Sequence, residues 1–259
     1  MIMAKNFFLF ENLEFRYDPF PIGIAKPLMD DSLYRQFVDH FPSLERFAFY
    51  SEMGKYGNKY TLSEKEQPKV FRQYVNNDPV WKEFYQWIKS NEFVYGVMDT
   101  LGDHHIDLGY KYRSPLKRFV KRTKGYFSGS IHPSTAKLRA RFEFSALPVD
   151  QGHLPPHTDA PTKIATIIVS MLDNDEWPLE FGGGTDVNKP KDVIRYGYNY
   201  LNEMAEFDDM DIIHTYDFSP NQGIIFVKTF NSWHSVRPIN GAGSKQLRKT
   251  LTINIERFI

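Results

Sequence analysis

The 259-residue sequence contains no cysteine. Disulfide bonds, zinc fingers, other thiolate metal sites and cysteine nucleophiles are therefore excluded. Any metal ion bound to this chain needs histidine and carboxylate ligands instead. The eight histidines are the residues most informative about chemistry.

An excess of one charge and a long apolar run are also missing. The 32 lysines and arginines balance the 32 aspartates and glutamates, so net charge gives no evidence for a nucleic-acid or membrane partner. The longest apolar-rich stretch, residues 164–172, is too short to span a bilayer, and residues 1–11 lack the features of a signal peptide. We expect a soluble, cytoplasmic protein, and the sequence leaves its oligomeric state open.

The chain changes character near residue 138. Before it, Asp30 and Asp78 precede residues with apolar side chains three and four positions apart, which predicts capped helices. Residues 51–69 are polar and aperiodic, which predicts an exposed loop that is a plausible lid. After it, strand-like runs separated by Gly, Pro, Asn and Asp cover residues 138–147, 163–172, 211–218, 223–230, 235–239 and 249–258.

This pattern predicts a mainly β protein with N-terminal helices. We expect a single domain, residues 1–259. Within it, residues 1–137 form a mainly helical layer with loops, and residues 138–259 form a β-sandwich or barrel.

The first candidate metal motif is His157-Thr158-Asp159. In an extended chain, residues i and i+2 lie on one face about 7 Å apart, so both side chains can reach one cation. His-x-Asp is common by chance and is not specific alone. His234 follows the apolar strand 223–227 and can complete a site of two histidines and one aspartate. Such a set suits non-haem Fe(II), although Zn²⁺ uses the same ligands. His214 is the competing histidine.

The terminal strand carries a different signal. Arg248, Thr250 and Thr252 alternate with apolar residues and so share one face. An arginine fork beside a hydroxyl is suited to a buried dicarboxylate. The alternative is an edge-strand arginine in solvent.

The motifs occur in the order His157-x-Asp159, Gly182-Gly183-Gly184-Thr185, His234 and, fourteen residues later, Arg248. This ordered set is much more specific than any member. It resembles the 2-oxoglutarate- and Fe(II)-dependent dioxygenases, especially their prolyl-hydroxylase-like branch. The resemblance extends over residues 138–259 and includes the blocks Arg141-Phe142-Glu143-Phe144 and Trp233-His234-Ser235-Val236-Arg237-Pro238.

The resemblance implies a double-stranded β-helix, a cupin-like jelly roll, packed against the N-terminal helices. It implies that His157, Asp159 and His234 hold Fe(II), that Arg248 pairs with the distal carboxylate of 2-oxoglutarate, and that Thr250 adds a hydrogen bond. The implied reaction consumes O₂ and 2-oxoglutarate, releases succinate and CO₂, and hydroxylates a peptidyl (prolyl-type) or small anionic substrate. Relatives that halogenate lack the carboxylate of Asp159, so hydroxylation is expected.

Charge patterning bears on the substrate. Residues 108–142 contain ten basic and no acidic residues, whereas residues 203–217 contain six acidic and no basic ones. This is either a solvated basic face, which pairs with the acidic segment, or the rim of a site for an anionic substrate. Under the second interpretation Arg139 and Arg141 contact substrate or cosubstrate, and His153 and Arg237 are further candidate contacts.

Two other function classes stay open. The same histidines and aspartate suit a non-oxidative metal-dependent enzyme on a jelly roll, such as a hydrolase or isomerase. A jelly-roll binding module without catalytic activity is the other alternative.

Overall fold

Two antiparallel sheets and a layer of helices make up the computed structural model, which describes residues 6–50, 58–111, 120, 137–172 and 177–258. The strands in these ranges are β1 (Glu14–Arg16), β2 (Ile22–Ala25), β3 (Ala48–Tyr50), β4 (Lys59–Ser63), β5 (Lys137–Pro148), β6 (Leu154–His157), β7 (Lys163–Ser170), β8 (Thr185–Pro190), β9 (Met210–Tyr216), β10 (Gly223–Val227), β11 (His234–Val236) and β12 (Leu247–Phe258). The α-helices in these ranges are α1 (Asp31–Asp39), α2 (Pro68–Asn77), α3 (Pro79–Ile88), α4 (Asn91–Asp103) and α5 (Val193–Tyr196).

The strands form an eight-stranded sheet in the order β1-β2-β10-β7-β12-β5-β4-β3 and a four-stranded sheet in the order β6-β11-β8-β9. Apolar side chains from both sheets meet between them, as where Val187 and Tyr216 of the smaller sheet cluster with Ile224 and Phe226 of the larger. Most pairs of neighbouring strands in each sheet are distant in sequence. The mainly β jelly-roll fold predicted from the sequence is confirmed.

In the larger sheet, strand β5 has one apolar and one polar face. Along β5, Ala140, Phe142 and Phe144 are buried, and the alternate residues Arg141 and Glu143 are on the opposite face. The phenylalanines pack against the helical layer: the rings of Phe71 and Phe142 have centroids 5.1 Å apart. The polar face of β5 supplies part of the candidate site.

The predicted helix starts agree with the structure. The carboxylate of Asp30 accepts hydrogen bonds from the backbone N–H groups of Ser32 and Leu33, and α1 begins there. The carboxylate of Asp78 accepts one from the N–H of Trp81 at the start of α3. Each side chain thus satisfies a donor that the first helical turn leaves unpaired.

The prediction of a loop over residues 51–69 is wrong for Lys59–Ser63, which form β4, and α2 starts at Pro68. Residues 51–57 lie outside the described part of the chain. β4 pairs with β5, so that Thr61 is opposite Ser145 and Ser63 is opposite Glu143. The sequence does not predict this strand because it is short and carries no run of apolar residues. Four strands from the first 137 residues therefore join the larger sheet.

Across the described ranges, every helix is too short or too polar to cross a bilayer.

Candidate metal centre and cosubstrate pocket

Three buried side chains converge at one end of the smaller sheet. His157 ends β6, Asp159 follows two residues later, and His234 begins β11. β6 and β11 are antiparallel neighbours, and His234 is directly opposite His157. One ligand atom from each of the three residues lies within 4.8 Å of the others. The register of this strand pair brings together residues that are distant in sequence.

The hydrogen bonds of the two histidines fix their tautomers. The Nδ1 atom of His157 lies 2.9 Å from the carbonyl oxygen of Pro155, and that of His234 lies 2.9 Å from the carbonyl oxygen of Ser232. A carbonyl only accepts, so each Nδ1 carries the proton and each Nε2 keeps its lone pair. Burial lowers the pKa of His157 to about 3 and also lowers the pKa of His234. Both imidazoles are neutral at neutral pH, the form that binds metal ions.

Asp159 supplies the negative charge of the site. Its Oδ1 lies 2.6 Å from the Lys163 ammonium, and its Oδ2 accepts a hydrogen bond of 2.9 Å from the hydroxyl of Thr166. Burial raises the pKa of Asp159, but the Lys163 charge and the two nearby imidazoles outweigh burial and hold it well below its usual range. The carboxylate is ionised and oriented from both sides.

Two neutral imidazoles and one ionised carboxylate form a donor set that fits a divalent metal ion. A larger cavity, of about 730 Å³, opens beside them and is lined by His157, Asp159 and His234. These three residues would supply three ligands to a metal ion and would leave positions open for others, as in non-haem Fe(II) sites. The residue types themselves also fit Zn²⁺.

Arg248 and Thr250 lie beside His234 in a second, smaller cavity of about 50 Å³. Both are buried, which excludes the alternative of an edge-strand arginine in solvent. The Nε of Arg248 donates to the carbonyl oxygen of Gly183, and the guanidinium carbon lies 4.7 Å from the centre of the Phe218 ring. Burial lowers the pKa of Arg248 to about 10, so the side chain stays charged at neutral pH.

The glycine run positions Arg248. Gly182 and Gly183 have φ values of 71° and 78°, in the left-handed region that glycine adopts readily. A β-carbon on Gly183 would be 3.0 Å from the Trp177 ring and 3.4 Å from Cδ of Arg248. The run therefore lets the backbone pass close to the arginine and present a carbonyl to it.

Arg139 and Arg141 line the larger cavity, and both are paired with one carboxylate. Arg141 donates to Glu256 through two nitrogens, with Nε at 2.9 Å. Arg139 lies 3.6 Å from the same carboxylate, and its side chain is 47% exposed. Of the other basic positions in residues 108–142, Lys111 and Lys137 are described, and the remaining six lie outside the described residues.

Two expected contact residues lie away from both cavities. Arg237 is ion-paired with Asp186 at 2.9 Å, and its side chain is 55% exposed. His153 bonds to the carbonyl of Gln151 and contacts the ring of Phe207. Neither lines the two cavities. The competing histidine, His214, is on β9, two strands from His234.

Several site residues were not singled out from the sequence. Lys163 and Thr166 bond to Asp159, and Asn254 lies 3.2 Å from the Thr166 hydroxyl. The sequence does contain a signal for Asn254, because this residue continues the alternation of polar residues along β12 that begins at Arg248. Lys59 carries no such signal, because only the pairing of β4 with β5 brings it to the site.

No protein-family model matches the sequence, and no curated protein matches it. Several solved structures are similar in fold. A prolyl-4-hydroxylase from Pseudomonas putida has a TM-score of 0.46 and 12% identity over 92% of each chain. A prolyl hydroxylase from Trichoplax adhaerens, in complex with a hypoxia inducible factor peptide fragment, has a TM-score of 0.48 and 10% identity over 91% of this chain and 83% of that one. An oxidoreductase of the 2OG-Fe(II) oxygenase family from Burkholderia pseudomallei has a TM-score of 0.46 and 10% identity over 92% and 85%.

Proposed function

We propose that the protein is an Fe(II)- and 2-oxoglutarate-dependent dioxygenase that hydroxylates its substrate. One observation carries this proposal: a buried set of two histidines and one aspartate lies beside a pocket that contains a buried arginine. A metal site for hydrolysis has no need of Arg248, whereas a dicarboxylate cosubstrate requires a cation at its far end.

One group of residues holds the metal ion, and a second group holds the cosubstrate. His157, Asp159 and His234 hold the iron, and Lys163 and Thr166 orient the carboxylate of Asp159. The iron and cosubstrate supply the O₂-dependent oxidation when bound, with release of succinate and CO₂.

The cosubstrate is held at its distal end. Arg248 binds the distal carboxylate, and Thr250, two residues along the same face of β12, adds a hydrogen bond. The protein thus fixes the cosubstrate relative to the metal, and the rate gained through such positioning is large.

The larger cavity supports a polar substrate. Its lining includes cationic and anionic side chains in similar numbers, many of them paired with each other. A small molecule or a peptide segment fits its volume of about 730 Å³. We place any anionic group of the substrate at Arg139, whose side chain is half exposed. The cytoplasmic location expected from the sequence stays a prediction.

Spectroscopy tests the proposal directly. Anaerobic protein with Fe(II) and 2-oxoglutarate should show a weak visible metal-to-ligand charge-transfer band. We expect His157→Ala to abolish the band because an iron ligand is lost, and His214→Ala, the matched control, to retain it. Succinate should form once O₂ is admitted.

Absence of the band in folded, iron-loaded wild-type protein contradicts the proposal. Activity that depends on Zn²⁺ and is indifferent to O₂ would favour the non-oxidative enzyme. A band without succinate formation in the presence of O₂ would leave a binding module.

A further inference from the structure

Lys59 and Glu143 form an ion pair where the two cavities meet. Lys59 lines both the larger cavity and the smaller cosubstrate pocket, and Glu143 lines the larger. The ammonium nitrogen lies 3.0 Å from Oε1 of Glu143. The pair thus lies at the junction of the two cavities, both of which are also lined by His234.

The two oxygens of Glu143 have different surroundings. Oε1 accepts hydrogen bonds from the Lys59 ammonium at 3.0 Å and from the Ser145 hydroxyl at 3.2 Å. Within the described part of the chain, Oε2 accepts none. Burial raises the pKa of Glu143, but the charges of Lys59 and Lys163 and the hydrogen bonds from Lys59 and Ser145 together outweigh burial and hold this pKa below its usual range. An ionised oxygen, fixed by its partner atom, is therefore presented to the larger cavity.

The sheet register sets the separation between Glu143 and the residues around the metal centre. Glu143 is opposite Thr252 on β12, which is opposite Ile168 on β7. Thr166, which bonds to Asp159, is on β7 two residues from Ile168. Two strand spacings and two residues along a strand place Glu143 and Thr166 about 12 Å apart at their Cα atoms. A substrate of several bonds can therefore reach both the metal and Glu143.

We propose that Oε2 of Glu143 binds the substrate of the dioxygenase, which therefore carries an N–H or O–H donor directed at this oxygen. This inference rests on the proposed function and assigns the chemical class of its substrate. The Lys59 charge already balances the carboxylate, so a neutral donor such as an amide or hydroxyl is sufficient. A prolyl nitrogen within a peptide has no hydrogen and does not meet this requirement by itself.

The substitution Glu143→Gln tests the role of Oε2. Lys59 and Ser145 both donate to one oxygen, so the carboxamide keeps its oxygen toward them and directs its NH₂ group into the cavity. The substitution converts the acceptor into a donor with little change in shape. Glu45→Gln, at an exposed position of the turn Leu44–Arg46, is the matched control.

The probes are 2-pyrrolidinone with its N-methyl analogue, and cyclopentanol with methoxycyclopentane. Their binding is measured by ligand-observed NMR on protein loaded with Zn²⁺ and 2-oxoglutarate. We expect the wild type and Glu45→Gln to favour the donor member of each pair by about five- to tenfold. Glu143→Gln should lose or reverse this preference. Methylation also adds volume to the probe. The decisive quantity is therefore how the affinity ratio of the two members of a pair changes between the wild type and Glu143→Gln.

Equal binding of both members by the wild type, binding of neither, or a preference unchanged by Glu143→Gln overturns the inference. Its failure is distinguishable from that of the proposed function. If the charge-transfer band forms in the wild type but no donor preference exists, only the role of Glu143 is wrong. If the band is absent, the dioxygenase proposal fails, and the probe pairs still report the donor preference of the cavity.

Discussion

Replacing Arg248 with methionine removes the cation at the far end of the proposed cosubstrate pocket. A guanidinium has five N–H donors. In Arg248, Nε donates to the carbonyl of Gly183, and one terminal nitrogen lies 3.5 Å from the Thr185 hydroxyl. The remaining N–H groups are available to a carboxylate. Methionine retains much of the side-chain length but offers none of these donors.

The magnitude follows from burial. Loss of one partner from a buried, hydrogen-bonded charge pair costs about 2–5 kcal/mol of binding free energy. A loss of about 3 kcal/mol of binding free energy, near the middle of this range, raises the Kd for 2-oxoglutarate by about 150-fold. Arg248→Lys keeps the charge but loses the fork, so we expect a smaller rise of about tenfold. Arg248→Met removes a buried charge that has no paired carboxylate in the described structure, but it also removes the hydrogen bond to Gly183, so we expect stability close to that of the wild type.

Anaerobic titration of the Fe(II)-loaded variants with 2-oxoglutarate measures the Kd from the charge-transfer band, and thermal unfolding monitors stability. Arg237→Met is the matched control, because that guanidinium is paired with Asp186 outside the pocket. Its Kd should equal that of the wild type. A Kd within threefold of wild type for Arg248→Met, with iron bound, would refute the assignment of the pocket.

Two further perturbations test the residues that surround these groups. Lys59→Met removes the cation paired with the Glu143 carboxylate near the dianionic cosubstrate, so the Kd for 2-oxoglutarate should rise. The double variant Lys59→Met with Glu143→Gln should restore the wild-type Kd. A double variant that binds 2-oxoglutarate as weakly as Lys59→Met would contradict this electrostatic role. Thr166→Val removes the hydrogen bond to Asp159, so we expect the affinity for Fe(II), measured by metal titration, to fall by about tenfold. The unfolding temperature should not fall to match. An unchanged affinity would show that Lys163 alone orients the carboxylate.

Much of the site could be predicted because several of its residues lie close together in the sequence. His157 and Asp159 are two residues apart, and Arg248 and Thr250 follow the period of a strand. His234 required one more step, since a jelly roll returns distant strands to neighbouring positions. The structure places it directly opposite His157. The helix starts were predictable for the same reason, because capping depends on a few adjacent residues.

The parts that were missed depend on pairing between distant segments. β4 has no apolar alternation strong enough to predict a strand, and its place beside β5 is set by tertiary packing. Lys59 reaches the site only through that pairing. Arg237 and His153 are absent from the lining of both cavities, and their expected contact with substrate or cosubstrate stays a prediction. Each is close in sequence to a metal ligand, but Arg237 pairs with Asp186 and His153 bonds to the carbonyl of Gln151.

The terminal strand β12 gives the site its linear order. On one face it presents residues at every second position, and these serve successive regions of the site: Arg248, Thr250, Thr252, Asn254 and Glu256. Eight residues of strand extend about 26 Å. A slip of one residue in the pairing with β5 would exchange this face for the apolar one, which packs against the helical layer. Burial of the apolar face therefore fixes the register, and that register sets the distance between the proposed cosubstrate and substrate regions.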